Sequence, residues 1–366
     1  MRLNVEALDR ASDEFLTAAL EPARWKPILE EVCEATDSYG INIVPIVGRF
    51  PQTIVATDSL APAMECYFND EWHQRDFRIL QVPALQRTGI VIEQDFASEE
   101  HFKRMDYYKA QAEFGLRWTA LLGFSSGDDL LVFALQRQID DGPFEREEAI
   151  IFQKLRQKLM ISAAMMRNIS ESEVKGMSAA FEMANVACIF FDRKGLVTTL
   201  NDRAQAMLGP DLQIVQGELR PQKADEAACF NRKLKSVLGM TAPFETDEPE
   251  IVLLTREGRR PLIARMQRIG GSMQDVFSHS CAIALVEDLE EKVAQRPSTL
   301  TKMFGLTRVE AEVALLLAQG HSAHEIAERR AISYETARAH LKSIYRKTDT
   351  KRQAELSLLL SKIRIG

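Results

Sequence analysis

The chain has 366 residues, of which 46% are hydrophobic and 7% aromatic, and its formal net charge is -7. This is enough apolar material for two or three separate cores, and no apolar run approaches the roughly 18 residues that a membrane span needs. The stretch MRLNVEALDRASDEF lacks the apolar segment of a secretion signal, so we expect a cytoplasmic protein. The cysteines lie far apart without a Cys-x-x-Cys pair, which favours buried thiols over disulfides or metal ligands. They are Cys33, Cys66, Cys188, Cys229 and Cys281.

Residues 1–172 are predicted to form one mixed domain. Helical periodicity dominates its beginning, and four strand-like runs follow, in GINIVPIV, TGIVIEQ, WTALLGF and LLVFALQRQ. The loop SSGDD between the last two runs indicates a hairpin, and a long helical pattern starts near Arg146. Helices that flank an antiparallel sheet are typical of an α+β sensor domain.

Residues 173–290 are predicted to form a second domain with an antiparallel sheet. The run VACIFF is an apolar strand, DRKG has turn chemistry, and LVTTL is the returning strand. A second hairpin turns at Glu257 and Gly258, and the strand SCAIALVEDL completes the sheet. The polar stretch EEKVAQRPST that follows predicts a linker at 291–300.

Residues 301–366 differ from the rest of the chain in charge. They hold twelve Lys or Arg against seven Asp or Glu, a balance of +5, whereas the other 300 residues hold 34 against 46, a balance of -12. An acidic body with a basic terminal module is typical of a regulated nucleic-acid binder.

Four short helices are predicted in 301–366. Thr307 and Ser322 each precede a glutamate by three residues, the spacing of a capping box, and Gly320 ends the first helix. Ser333 caps the third helix, which follows a turn at residues 331–333, and residues 351–361 form the fourth.

The third helix has two different faces. Ala337, Leu341 and Ile344 form an apolar stripe that is predicted to face the domain core. The opposite face is long, polar and basic, which suits insertion into a major groove, although a solvated helix of a small bundle would have the same pattern. The candidate DNA-contacting residues are Ser333, Glu335, Thr336, Arg338, Ala339, His340, Lys342, Arg346, Lys347, Lys351 and Arg352.

The stretch LTRVEAEVALLLAQGHSAHEIAERRAISYETARAHLKSIYRKTDTKRQAEL resembles the LuxR-type helix-turn-helix of bacterial transcription regulators over about 50 contiguous residues. The resemblance implies that Arg338, Ala339 and Lys342 face base edges. It also implies that Thr336, His340, Arg346 and neighbouring basic residues meet phosphates. Two positions depart from the pattern. Ala331 stands where glycine is usual, and Ala337 replaces the more usual valine.

The run VACIFFDRKGLVTTLNDRAQAMLG resembles a PAS domain, in which Asn201 opens a helix after two strands. PAS domains hold a cofactor or serve only in dimerisation and relay. Cys188 lies in a predicted strand rather than in the helical motif of a flavin photosensor. His279 has no supporting pattern for a haem ligand, so we expect no cofactor.

The first domain resembles the GAF-like ligand-binding halves of multidomain LuxR-type regulators. Its aromatic and acidic residues suit a small, partly apolar ligand, although each residue taken alone is more often an ordinary core residue. The candidate ligand-binding residues are Tyr67, Trp72, Asp76, Tyr107 and Trp118. The order Tyr67, Trp72, Asp76 is similar to that in acyl-homoserine lactone receptors. The spacing differs, so the resemblance does not imply that ligand for this protein.

The long helical pattern from Arg146 contains Ile151, Leu155, Leu159 and Met166 near a seven-residue repeat. This seam predicts either pairing with a second copy or packing on its own domain, with a break near Ser170–Ser172.

No catalytic motif, phosphate loop or metal-ligand spacing is recognisable, so the sequence argues against an enzyme. The leading hypothesis is a homodimeric transcription regulator that binds a pseudo-palindromic DNA operator under the control of a small-molecule effector. The alternatives are a signalling module that binds a partner protein and a cofactor-based redox or gas sensor.

Overall fold

The computed structural model describes residues 3–47, 54–127, 129–239, 250–269, 276–290 and 297–362. Two antiparallel five-stranded sheets, each with its own helices, are followed by a group of helices. This arrangement confirms the predicted multidomain α+β class. None of the helices in these ranges combines the length and the apolar content needed to cross a bilayer.

The first sheet contains the four strands predicted from alternating or continuous apolar runs and one short strand that the sequence pattern missed. Its strands are β1 (Gly40–Pro45), β2 (Val55–Ala56), β3 (Ile90–Ile92), β4 (Leu116–Ser126) and β5 (Asp129–Gln138), in the order β2-β1-β5-β4-β3. The predicted hairpin at SSGDD joins β4 to β5, with Ser126 opposite Asp129 and Gly127 at φ 61°. Two residues of β2 are too few for a recognisable period.

Helices cover both faces of this sheet, and together with it they form the first domain. They are α1 (Val5–Asp13), α2 (Phe15–Leu20), α3 (Trp25–Ala35), α4 (Ala61–Asn69), α5 (Trp72–Arg75), α6 (Val82–Thr88), α7 (Glu99–Arg104), α8 (Asp106–Glu113) and α9 (Arg146–Met183). One face packs on α1, α2, α3 and α9 around Phe15, Trp25, Phe133 and Phe152, all fully buried. The other face is covered by α4, α6 and α8, which leave a cavity against the strands.

Helix α9 is one continuous helix of 38 residues. It does not break at Ser170–Ser172 as predicted, and it continues across the expected domain boundary at 172. Leu155, Leu159 and Met166 of the predicted seam are buried in the core of the first domain. Of the two alternatives, packing on its own domain is therefore the one that these residues adopt, because the sheet has an apolar face that they cover.

The second domain is built on a sheet with the order β10-β11-β12-β6-β7. Its elements are β6 (Ala187–Phe191), β7 (Val197–Leu200), α10 (Asp202–Met207), β8 (Leu212–Val215), β9 (Glu218–Pro221), α11 (Ala224–Val237), β10 (Glu250–Arg256), β11 (Arg259–Arg268) and β12 (Ala282–Asp288). The predicted strands and both predicted hairpins are present. Asn201 caps α10 by accepting a hydrogen bond from Ala204 N at 3.0 Å. The small hairpin β8–β9 and helix α11 were not predicted.

The second domain contacts the first through the segment before β12. The Phe277 ring stacks on Trp25 with ring centroids 5.0 Å apart, and Val276 joins the same core. Arg193, in the turn after β6, lies 3.5 Å from Asp129 of β5 and donates to Val276 O at 3.0 Å. The two sheets are therefore coupled through packed side chains rather than joined only by α9.

The cysteines match the expected buried thiols only in part. Cys33, Cys188 and Cys281 are buried, but Cys66 and Cys229 are half-buried, because they lie on helices whose other sides face the core. Burial raises the pKa of the Cys33 thiol to about 12, which makes it unreactive.

Residues 297–362 form the helical domain, with one helix more than predicted. Its helices are α12 (Pro297–Phe304), α13 (Arg308–Ala318), α14 (Ala323–Arg330), α15 (Tyr334–Thr348) and α16 (Gln353–Lys362). Helix α12 begins inside the stretch expected to be a linker, whose residues 291–296 lie outside the described ranges. Pro297 suggested a loop, but proline also suits the first turn of a helix, where no backbone donor is needed.

The predicted caps of the helical domain are present. Thr307 and Ser322 each form a complete capping box with Glu310 and Glu325, and Ser333 accepts a hydrogen bond from Thr336 N at 3.1 Å. Ala331 takes φ 51° and ψ 46°. A left-handed conformation costs a non-glycine residue about 1–2 kcal/mol, so the departure from glycine at this turn is destabilising.

Candidate DNA-binding surface and ligand pocket

Helix α15 is fixed in the helical domain by its apolar side. Ala337 and Ile344 are fully buried and Leu341 nearly so, in a core shared with Val313, Leu317 and Ile326 of the two preceding helices. The apolar stripe therefore faces the core as the sequence predicted, and the opposite side of the helix is left to solvent.

The candidate DNA-contacting residues lie on or next to that outward side. All of them are exposed except His340 and Lys347, which are half-buried. Arg338 and Lys342 are one turn apart near the start of α15, and Lys351 and Arg352 lie just beyond its end. A single helix with two cations toward its N-terminal half and further cations at its end has the form that enters a major groove.

Lys347 has a partner within the helical domain that the sequence did not predict. Its Nζ lies 2.7 Å from Glu310 Oε2, and Ser343 Oγ donates to Glu310 Oε1 at 2.6 Å. Burial acts against ionisation of Glu310, but these bonds and those from Thr307 outweigh it and lower the pKa of Glu310 to about 2. The carboxylate therefore ties the start of α13 to the second half of α15.

Tyr334 at the first position of α15 was not among the predicted residues. Its ring lies 4.3 Å from the His324 ring, and the Arg338 guanidinium carbon is 5.9 Å from the tyrosine ring centroid. The three side chains form a row across the turn between α14 and α15. The sequence signal was an aromatic residue directly after the cap Ser333, four residues before Arg338.

The cavity of the first domain lies between one face of the first sheet and helices α4, α6 and α8. Its space measures about 700 Å³, including its opening to solvent. Residues from the sheet form the floor, and helical residues form the roof. The lining residues are Asn42, Val44, Ile46, Leu60, Ala63, Met64, Tyr67, Asp76, Arg78, Val82, Leu85, Tyr107, Gln111, Leu121, Val132, Ala134 and Gln136.

Three lining residues form a charged cluster at one wall. Tyr67 Oη donates to Asp76 Oδ2 at 2.8 Å, and Arg78 binds both carboxylate oxygens, through Nη2 at 2.8 Å and Nε at 3.0 Å. Asp76 and the aromatic body of Tyr67 are buried. A carboxylate held by a guanidinium and a phenol presents little net charge to the cavity.

Three of the five predicted ligand-binding residues line the cavity, namely Tyr67, Asp76 and Tyr107. Trp72 lies behind Tyr107, with ring centroids 5.9 Å apart, and Trp118 packs edge-on against Phe102 at 5.3 Å. Neither tryptophan lines the cavity. Trp72 is buried in the aromatic cluster beneath the wall, and Trp118 is half-buried at its edge.

The sequence reading missed the polar residues of the cavity, above all Arg78, Asn42, Gln111 and Gln136. The sequence held a clue to Arg78, because a basic residue two positions after Asp76 is close enough to pair with its carboxylate. Asn42 also had one, since it interrupts the apolar run GINIVPIV at a position on the same face as Val44 and Ile46.

Glu93 is a buried carboxyl group behind the same wall. Burial raises its pKa to about 7, against the opposing effects of the Tyr108 hydroxyl that donates to it, of Arg78 and of Thr119. Asp76 acts in the same direction as burial. The group is therefore partly protonated near neutral pH.

This raised pKa predicts a loss of stability with increasing pH. The contribution of Glu93 to the free energy of unfolding is complete below its ordinary pKa of 4.5 and is lost as the pH rises through 7. Relative to Glu93→Gln, the free energy of unfolding should fall by about 2–3 kcal/mol between roughly pH 5 and pH 8. Urea unfolding of both proteins across this range measures the difference, and parallel pH curves would contradict it.

The second domain offers no recognisable metal site within the described residues, since no three His, Cys, Asp or Glu side chains there come together as ligands. His279 lies next to Ser280, whose hydroxyl is 2.7 Å from Thr198 Oγ1. Cys188 is buried in β6.

Comparison with known proteins identifies the helical domain. Residues 305–360 match the family described as bacterial regulatory proteins, luxR family. The comparison with curated proteins gives no match.

Solved structures with similar features are remote in sequence and in overall shape. The phage VqmA–DPO complex is 17% identical over 53% of this chain and 91% of that chain, with a TM-score of 0.24. Escherichia coli SdiA is 11% identical over 95% and 88%, with a TM-score of 0.26. The Vibrio cholerae VqmA–ligand–DNA complex is 17% identical over 49% and 82%, with a TM-score of 0.20. At TM-scores this low, the similarity does not establish a shared overall structure. Residues 305–360 nevertheless match the LuxR family of bacterial regulatory proteins, which identifies the helical domain as a LuxR-type helix-turn-helix domain.

Proposed function

We propose that this protein is a transcription regulator that binds a pseudo-palindromic DNA operator as a homodimer. In this proposal its DNA affinity is controlled by a small, partly apolar molecule held in the cavity of the first domain, and it has no catalytic role. The observation that carries the proposal is the exposed basic face of α15 in a domain of the LuxR family.

The DNA-binding part rests on the division of roles along α15. Arg338 and Lys342 are exposed where the helix would enter the groove, and an arginine or lysine there can donate to guanine O6 and N7. Arg346, Lys351 and Arg352 lie farther along, where cations suit phosphates. The Lys347 ammonium already donates one hydrogen bond to Glu310, so only its remaining N–H groups are candidates for a phosphate contact.

The ligand part rests on the shape and lining of the cavity. The cavity is lined by apolar side chains with polar groups gathered at one wall, which is the kind of lining that small-molecule sites have. Such a molecule would change DNA affinity only by its difference in affinity for two arrangements of the protein. The packed contact of Phe277 with Trp25 supplies one physical link between the first domain and the second.

The homodimer part rests on apolar surface along α9 that its own domain leaves uncovered. Ile161 is 60% exposed, and with Ala164, Met165 and Ile169 it lines a shallow groove on the outer side of the helix. A second copy related by a two-fold axis would cover the same surface on both chains. Two copies of α15 would then address half-sites one helical turn of DNA apart.

The proposal is tested by binding to duplex DNA at increasing salt concentration. If six or more phosphates are contacted by the dimer, the affinity should fall by about 10³-fold or more between roughly 50 and 200 mM salt. Affinity that hardly changes with salt would overturn the DNA-binding role and favour docking to a partner protein. Sedimentation of the same samples determines whether the DNA-bound species holds two chains.

A further inference from the structure

The cavity of the first domain contains three buried side-chain amides from three different elements. Asn42 comes from β1, Gln136 from β5 and Gln111 from α8, and all three line the space. Each is less than 10% exposed. Buried amides in a folded protein are normally engaged by hydrogen bonds, because leaving one unmet costs stability.

Asn42 lacks such a partner on its acceptor side. Its Oδ1 is buried and has no hydrogen-bond partner among the residues that the structure describes. Its Nδ2 faces Met64 Sδ at 3.6 Å, and a thioether can only accept, so the amide is oriented with the nitrogen toward sulfur and the oxygen unmet. An oxygen of this kind in the wall of a cavity can accept a hydrogen bond from a donor of a bound molecule.

The register of the sheet places Asn42 and Gln136 at one end of the cavity floor. Gly40 pairs with Gln136 and Asn42 with Ala134, so the two amides lie diagonally on the same face. Farther along these strands the floor becomes apolar, through Val44 opposite Val132. The floor therefore has a polar end and an apolar end.

The charged groups of the wall are already paired. Asp76 is engaged by Arg78 and Tyr67, and Arg78 by Asp76, so neither offers a full charge to a bound ion. Glu93 receives the Tyr108 hydroxyl and is not part of the lining. An anionic or a cationic head group would therefore lose its hydration in the cavity without gaining an opposite charge.

We infer that the cavity takes an uncharged molecule with an amide-like head, which offers both a hydrogen-bond donor and an acceptor to Asn42, Gln111 and Gln136, and with an apolar body that lies toward Val44 and Val132. The inference rests on the proposed function, since it names the chemical class of the small molecule that the regulator senses. A side-chain amide carries both a donor and an acceptor without any charge, so it can bind both groups of such a head.

Four probes with the same eight-carbon chain and different heads test the inference. Octanamide has a donor and an acceptor, methyl octanoate only acceptors, octanoate a negative charge and octylamine a positive charge. We expect calorimetric titration of the full chain to give an affinity for octanamide at least tenfold higher than for the other three.

Asn42→Leu supplies the matched variant, with Asn231→Leu on an exposed face of α11 as the control for the same change. We expect Asn42→Leu to remove the preference for octanamide over methyl octanoate, while the thermal midpoint of the empty protein stays the same or rises, because an unmet polar atom is removed. Asn231→Leu should leave the preference intact. A purely structural role of Asn42 would instead lower the thermal midpoint and leave the ratio of affinities unchanged.

Three results would overturn the inference. They are equal binding of methyl octanoate, tighter binding of either charged probe, and no binding of any probe. The first two would leave a ligand-controlled regulator in place with a different ligand class. The salt titration of DNA binding tests the regulator itself and does not depend on any of these probes.

Discussion

Replacement of Arg137 by methionine is expected to destabilise the first domain by about 3–5 kcal/mol. Arg137 is 2% exposed and Glu148 3%, and the two form a bidentate pair with N–O distances of 2.8 and 3.1 Å. Methionine has a similar length but no charge, so the variant leaves the Glu148 carboxylate buried without its partner. The loss of compensation for a buried charge is what makes the effect large.

Arg137 also joins parts of the chain that are far apart in sequence. Its Nη2 donates to Thr36 O at 2.7 Å and its Nε to Asp37 O at 3.1 Å, both just after α3. Glu148 in turn accepts from Glu145 N at 2.8 Å at the start of α9. The pair therefore satisfies backbone groups at the end of one helix and at the start of another, on the same face of the first sheet.

The measurement is urea unfolding followed by tryptophan fluorescence. The chain has three tryptophans, Trp25, Trp72 and Trp118, and all are in the first domain. The signal therefore reports that domain and, through the contact of Trp25 with Phe277, the segment of the second domain that packs on it. Arg24→Met is the control, because Arg24 pairs with Glu14 at 3.1 Å on the surface and should cost at most about 1 kcal/mol. Equal effects of the two variants would show that burial of the Arg137 pair carries no special cost.

A second variant distinguishes the effect of losing the ion pair from the cost of leaving the Glu148 carboxylate buried and unpaired. Arg137→Met combined with Glu148→Leu removes both charges, and we expect it to be more stable than Arg137→Met alone, because no buried carboxylate remains unpaired. If the double variant is less stable than the single one, the backbone bonds of the two residues dominate over the buried charge.

The helical domain could be predicted from sequence because its signals are local. A cap such as Ser333 and the stripe of Ala337, Leu341 and Ile344 lie within one helix, and each follows from the 3.6-residue period and from the donors that a helix start leaves unmet. The strands of both sheets were recognisable for a similar reason. Short elements such as β2 and the β8–β9 hairpin carry too few residues for a period to be seen.

The cavity could be predicted only in part because its residues meet through the fold. Tyr67 and Asp76 are nine residues apart and were recognised together, whereas Asn42 and Gln136 are brought side by side by the pairing of β1 with β5. Lys347 and Glu310 are 37 residues apart, and their contact follows from how α13 packs on α15. No spacing rule along the chain predicts such contacts.

Arg338→Ala is expected to weaken binding to a selected operator by about 5- to 150-fold for each half-site, which corresponds to about 1–3 kcal/mol per half-site, and to change binding to random duplex DNA much less. Arg338 is exposed near the start of α15, where a guanidinium can meet a guanine edge, and the Tyr334 ring lies beside it. A bidentate contact to one base is lost with the side chain, whereas random DNA offers no such contact to lose.

Lys351→Ala is the matched control for this prediction. Lys351 is exposed beyond the end of α15 and suits a phosphate, so its removal should weaken binding to both kinds of DNA by a similar factor. The salt slope should fall by about 2, because each chain of the dimer loses one phosphate contact. The operator is first selected from a random duplex pool, and fluorescence anisotropy then gives both affinities at each of several salt concentrations. A base-reading residue changes the ratio of the two affinities and a phosphate contact does not. Equal losses for Arg338→Ala on both DNAs would therefore assign Arg338 to the phosphate backbone.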